Sequence, residues 1–242
     1  MKRFHSLNAI RSYLGAQSRA RDEKKPSRRR PPATRFVTVS RQAGAGGTSV
    51  AVALARLLNA EEGSVPWTVF DRELVKAVIH HHGLPREVER FLTEDAVPEL
   101  QTIFTEFFGG VTSRRGLTAR TSETILRLAR MGRAILVGRA SHIVTRRLPG
   151  GLHVRLIAST GRRIERIRKL TGQSESEART EVASRDRGRR SYVRKYFRSD
   201  VTDPMEFDLV LNTDRLTYID AARVIRAALD GAERLRSARP GR

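Results

Sequence analysis

Phe36-Val37-Thr38-Val39-Ser40-Arg41-Gln42-Ala43-Gly44-Ala45-Gly46-Gly47-Thr48-Ser49 decides the fold of this chain. Phe36–Val39 is aromatic and β-branched, which predicts a strand. From Thr48 to Asn59, Val52, Leu54, Ala55, Leu57 and Leu58 fall on helical spacing. Between strand and helix lies a loop with glycine at 44, 46 and 47. Glycine lets successive backbone N–H groups turn inward, and a helix start adds partial positive charge. Together they make a cradle for phosphate. The alternative is a glycine-rich turn that carries no ligand.

Set against the phosphate-loop pattern G-x-x-x-x-G-K-[ST], Gly46 and Thr48 fit. Arg41 stands at the first glycine and Gly47 at the lysine. A charge-assisted hydrogen bond contributes roughly 1.5–3 kcal/mol, so the missing ammonium matters. Arg41 is the nearest cation in the sequence. It is a planar fork rather than a compact point charge, so the exchange is not neutral.

Outward from the loop, four more short apolar runs predict strands: 67–70, 134–137, 153–158 and 207–211. Helical patterns fill the spaces at 71–82, 84–131, 161–170, 174 to beyond 186, and 217–229. Strands alternating with helices predict an α/β fold, with a five-stranded parallel sheet covered on both faces.

The 242 residues are 39% hydrophobic and 30% charged, with 47 Lys plus Arg against 26 Asp plus Glu, a net charge of +21. Such a balance points to an anionic partner. Cysteine is absent, which excludes a disulfide scaffold, a thiolate zinc site and a thiol nucleophile. No apolar run approaches the roughly 18 residues of a membrane-spanning helix. No apolar segment follows the basic N-terminus either, so the expected location is the cytoplasm. Residues 1–33 read as a basic, mostly disordered arm, with a short amphipathic helix over 4–14. The arm is either a solubilising tail or a contact to nucleic acid or an acidic surface, with a transit peptide as a third reading. Residues 34–242 read as one domain.

Further motifs follow in order. They are Phe70-Asp71-Arg72-Glu73-Leu74, Val137-Gly138-Arg139, Arg185-Asp186-x-x-Arg189, Tyr192-x-x-x-Tyr196-Phe197 and Asp203-Pro204-x-x-Phe207-Asp208-Leu209-Val210-Leu211-Asn212-Thr213. With Val39-Ser40-Arg41-Gln42-x-Gly44-x-Gly46-Gly47 they give the chain, over about residues 35–230, a resemblance to the cytidylate kinase-like family. The resemblance implies a three-layer P-loop kinase fold with a helical insertion that binds a nucleoside monophosphate and an arginine-bearing lid. The implied reaction moves the γ-phosphoryl of ATP, with Mg²⁺, to CMP, dCMP or a similar monophosphate.

By the same resemblance, Ser40, Arg41, Gln42, Gly44, Ala45, Gly46, Gly47, Thr48 and Ser49 hold the donor phosphates, with Thr48 near Mg²⁺. Asp71, Arg72, Gly138 and Arg139 fall on the acceptor side. Arg41, Arg139, Arg185 and Arg189 supply cations, and Asp186 orients the lid arginines. Cytidylate kinases carry Lys where this chain has Gly47, and Asp where it has Ala140.

Each residue also has a plainer reading. Asp71 suits a helix N-cap. The arginines near 185–198 suit a solvated face, or a nucleic-acid contact with Tyr192, Tyr196 and Phe197 interleaved for stacking. Three functions therefore stand: a nucleotide kinase, a nucleotide-binding protein without transfer, and a nucleic-acid-binding protein on the same scaffold.

Overall fold

The computed structural model describes residues 12–13, 15–16, 35–60, 65–71 and 114–237. Arg72 and the segment expected to bind the monophosphate, between 72 and 113, lie outside the described residues, as does most of 1–33.

Five strands form one sheet: β1 (Phe36–Arg41), β2 (Thr68–Phe70), β3 (Ala134–Val137), β4 (Gly151–Ile157) and β5 (Leu209–Asn212). All pairings are parallel, in the order β2-β3-β1-β4-β5. β1 is central, with Val39 opposite Val137 on one side and Val154 on the other. A central parallel strand is covered on both faces, which is why β3 reads as a continuous apolar run and β1 as a nearly continuous one.

The connecting helices are α1 (Gly47–Asn59), α2 (Arg114–Met131), α3 (Ser141–Thr145), α4 (Thr160–Thr171), α5 (Glu175–Phe197) and α6 (Tyr218–Ser237). α1 and α6 cover one face, where Val50, Leu54, Leu58, Ala221, Ile225 and Leu229 pack on Val37, Val39, Ile135 and Val154. The buried stripe of α1 starts at Val50, two residues before the expected Val52, which is only half-buried. α2, α3 and the end of α5 cover the other face with Ile125, Leu128, Ile143, Val193 and Phe197. Burying one such side chain contributes about 1.5–3 kcal/mol.

Two side-chain devices fix the element ends. Asn59 accepts from Trp67 N–H at 2.7 Å and donates to Trp67 C=O at 3.0 Å, clamping the end of α1 to the start of β2. Ser174 and Glu177 form a reciprocal capping box that starts α5 after the left-handed Gly172 closes α4.

Within the basic N-terminal stretch, residues 12–13 and 15–16 are helical, and Tyr13 and Ala16 are buried. Tyr13 is fully buried in the core beneath α2. Its ring meets Phe70 edge-on at 5.4 Å and its hydroxyl donates to the Gly132 carbonyl. An aromatic ring with a satisfied hydroxyl outweighs the charge of the residues around it.

Candidate functional site

The glycine loop runs from the end of β1 into α1. Gly44 and Gly46 are left-handed, at φ +76° and +82°. Both are also contact sites. A Cβ on Gly44 would lie 2.5 Å from the Arg163 carbonyl oxygen, and one on Gly46 would strike the Tyr218 ring. Alanine is excluded at both by sterics as well as by φ.

The loop's carbonyls are held from outside. Arg189 Nη1 donates to Arg41 C=O at 3.1 Å, and Arg163 Nη1 to Ala43 C=O at 3.3 Å. The Thr213 hydroxyl donates to Ala45 C=O at 3.2 Å and itself accepts from Arg166 Nη1 at 2.9 Å. The Gln42 amide oxygen accepts from Ala158 N–H at 3.0 Å, tying the loop to the end of β4. With its carbonyls tethered elsewhere, the loop is free to present N–H groups at the start of α1. Gly46 there provides no side-chain cap, so first-turn donors stay open to an anion.

Asp186, on α5, closes this network. One carboxylate oxygen accepts from Ala43 N–H at 2.7 Å, the other from Arg163 Nη1 at 2.6 Å, and Arg189 approaches at 3.5 Å. Asp186 was expected to orient Arg185 and Arg189. It does reach Arg189, but its short bonds go to Arg163 and the loop, while Arg185 pairs with Glu181.

Arg41 lies across the loop. A Cβ on Gly47 would meet Arg41 Cγ at 2.7 Å and Cδ at 3.0 Å, and one on Gly138 would run into the Arg41 guanidinium. The stem of Arg41 thus fills the space where a residue-47 side chain would begin, and its charge is delivered to the end of β3. Burial, together with Arg189, Arg139 and Arg185, lowers the Arg41 guanidinium to about 10, against the opposing pull of Asp71. A dianion placed beside it relieves that penalty.

Beyond β3, Gly138, Arg139 and Ala140 are left-handed in succession, at φ +80°, +59° and +55°. Non-glycine residues in this region carry strain. The turn lines a cavity of about 630 Å³ at the carboxyl ends of β1 and β3, roofed by α5. Such a crevice, where the strand order reverses, is where open α/β sheets bind ligands. Its walls include Arg41, Arg139, Arg155, Arg185, Arg189 and Arg190, with Asp186 the one acidic group among the described lining residues. The Arg139 Nε is buried with no hydrogen-bond partner among the described residues.

Arg155, in the middle of β4, and His142, on α3, were not anticipated from the sequence. Arg155 donates to the Ser40 hydroxyl at 3.0 Å and lies 5.5 Å over Phe207. Burial lowers its pKa, opposed by Asp186. A charged residue inside the apolar run Val154-Arg155-Leu156 was the available signal. His142 stacks on Phe207 at 4.6 Å. Thr48 and Ser49 sit in the first turn of α1. Gly44 through Ser49 lie beside the cavity rather than in its wall. Among the described residues no cluster of His, Cys, Asp and Glu is placed to hold a metal ion, and no helix is long and apolar enough to cross a membrane.

A parallel sheet in this order, a strand–glycine loop–helix unit at its centre and a cation-lined crevice beside it define the P-loop kinase fold. The chain belongs to the cytidylate kinase-like family, whose sequence profile it matches over residues 36–215. It is 25% identical to a cytidylate kinase of Pyrobaculum aerophilum, over 78% of this chain and 89% of that protein. A shorter match, 32% identical over 84 residues, is to a uronate isomerase of Corynebacterium glutamicum. It spans 35% of this chain and 16% of that protein. Among solved structures, an uncharacterized protein from Eubacterium ventriosum superposes with a TM-score of 0.60. The identity is 17%, over 81% of this chain and 98% of that one. A shikimate kinase from Bacteroides thetaiotaomicron superposes with a TM-score of 0.47 at 15% identity, over 82% of this chain and 99% of that one.

Proposed function

We propose that the chain transfers the γ-phosphoryl of ATP to a nucleoside monophosphate, with CMP or dCMP the first choice of acceptor. The observation that carries this reading is the path of Arg41. Its stem replaces the start of the absent lysine side chain and its guanidinium reaches Gly138, so one cation spans the donor loop and the acceptor turn. Phosphoryl transfer asks chiefly for alignment and positive charge around the migrating group.

In this reading the α1 first turn and Gly44–Ser49 hold the donor phosphates. An oxygen of the acceptor monophosphate attacks the γ-phosphorus, the bond to the β-phosphate oxygen breaks, and ADP leaves. Arg41 sits beside the migrating group. Arg139, and Arg185 and Arg189 from α5, supply bidentate donors to the acceptor and the developing charge. Asp71 and Arg72 belong to the acceptor side. Mg²⁺ fits a site of this kind, because it keeps most of its waters and binds mainly through substrate phosphates. The Thr48 hydroxyl, which bonds to no described side chain, would be its protein ligand. The ion would neutralise phosphate charge.

The test is a panel of ribo- and deoxyribonucleoside monophosphates with ATP and Mg²⁺, reading diphosphate formation. Turnover with CMP or dCMP above the other monophosphates is expected. No turnover with any member, alongside an ATP-induced rise in melting temperature, would replace the kinase by a nucleotide-binding protein.

A further inference from the structure

The second half of α5 carries more cations than line the cavity. Residues 187–198 hold Arg187, Arg189, Arg190, Arg194, Lys195 and Arg198, and no acidic residue. The first half is different: Arg179 pairs with Glu175 at 3.0 Å and Arg185 pairs with Glu181, both at i,i+4. Arg187, Arg190, Arg194 and Arg198 are all exposed. The spacing of three and four residues puts Arg187, Arg190 and Arg194 on one stripe of the helix, and Arg198 follows as the left-handed residue that closes it. None forms an ion pair with a described residue, although Arg194 is near enough to Asp200 to lower its pKa slightly, behind the Thr202 hydrogen bonds that dominate. Of the four, Arg190 also lines the cavity.

The helix macrodipole favours cations only within the last turn. That accounts for Arg194 and Lys195, not for Arg187 and Arg190. Eleven residues of helix extend about 16 Å, a length over which duplex nucleic acid presents roughly ten phosphates.

We propose that this stripe is a docking surface for the phosphate backbone of duplex nucleic acid. The aromatic residues decide between duplex and single strand. Phe197 is buried, and Tyr192 and Tyr196 pack against the same core. Tyr192 also bonds to Thr118. No ring on this half of α5 is fully exposed, Tyr192 and Tyr196 being half-buried, whereas single-strand binding stacks bases on open aromatic faces. Membranes are disfavoured for a related reason. Among the described residues the exposed large apolar ones are Leu170, Met205, Val210, Ile219 and Val224, none on α5, and interfacial helices need an apolar face beside the cations.

The experiment measures fluorescence anisotropy of labelled duplex DNA and duplex RNA with the full chain across a salt series. Compared with wild type are Arg187→Ala/Arg194→Ala/Arg198→Ala and the matching triple Lys variant. A third variant is Arg28→Ala/Arg29→Ala/Arg30→Ala in the N-terminal stretch. Melting temperatures confirm folding. The Ala triple is expected to bind at least about tenfold more weakly at low salt and to flatten the log–log salt slope by about three, while the Lys triple binds nearly as wild type. Absence of duplex binding overturns the proposal. So does a slope lost only in the N-terminal variant, or binding to anionic phosphatidylserine vesicles but not to duplex.

Discussion

Asp186 and Arg163 are joined at 2.6 Å, and the same carboxylate holds the Ala43 N–H at 2.7 Å. The pair fastens α5 and α4 to the glycine loop at one point. Arg163 then reaches on to the Ala43 and Ala158 carbonyls.

Removing one member of a mostly buried pair leaves the other uncompensated, a loss of about 3–5 kcal/mol. Arg163→Met and Asp186→Asn should each lower stability by a few kcal/mol in urea melts, Asp186→Asn less because its amide oxygen still accepts from Ala43. A double-mutant cycle should give a coupling above roughly 1 kcal/mol. Additive effects would show that the two residues act separately.

Arg41 and Gly47 compete for one volume, which predicts a reversal of sign. Gly47→Lys alone forces its Cβ to within 2.7 Å of Arg41 Cγ and should reduce phosphotransfer and stability. Arg41→Ala alone removes the bridging charge and should reduce kcat by about 10–100-fold. The double variant Arg41→Ala/Gly47→Lys opens the space and restores an ammonium, so it should exceed both singles in kcat/KM. A double variant no better than Arg41→Ala would show that Arg41 does not stand in for the lysine.

The sheet was legible in the sequence because parallel strands covered on both faces read as near-continuous apolar runs. Ala134–Val137 is read with its observed bounds, and the other strands lie within two residues or so of expectation. α3 was missed, since five residues are too few for a helical period to show. The glycine loop announced itself by composition. What fastens it did not: Arg163, Arg166 and Thr213 come from distant segments, and an arginine aimed at a backbone carbonyl looks, in sequence, like one aimed at water. Arg41 could be named as the nearest cation, but its path over Gly47 to Gly138 depends on the register of β1 against β3. The helical spacing around Tyr13 could be read, but its burial could not, because the basic composition of residues 1–33 is averaged over a window while burial is decided residue by residue.

Tyr13 gives a direct measure of how far the N-terminal stretch belongs to the fold. Its ring is fully buried against Phe70 and its hydroxyl satisfies Gly132. Tyr13→Ala should cost about 3–5 kcal/mol, the usual loss for emptying a buried aromatic site. Tyr13→Phe leaves the Gly132 carbonyl without that donor and should cost about 1–2 kcal/mol. Denaturant midpoints of the two variants check both values, and an unchanged midpoint for Tyr13→Ala would free the stretch from the core.

His142 makes the fold sensitive to acid. Burial, with smaller contributions from His153 and Arg155, holds its imidazole down to about 3. Its Nε2 has no partner among the described residues. The unfolded chain protonates near pH 6.5 and the folded one only near pH 3, so between those values the unfolded state binds the extra proton. Stability is therefore full above about pH 6.5 and falls as the pH drops toward 3, with about 2 kcal/mol gone by pH 5. His142→Phe keeps a flat ring against Phe207 and removes the titration. Its melting temperature should decline less than that of wild type between pH 7 and pH 5, and parallel declines would assign the acid sensitivity to other groups.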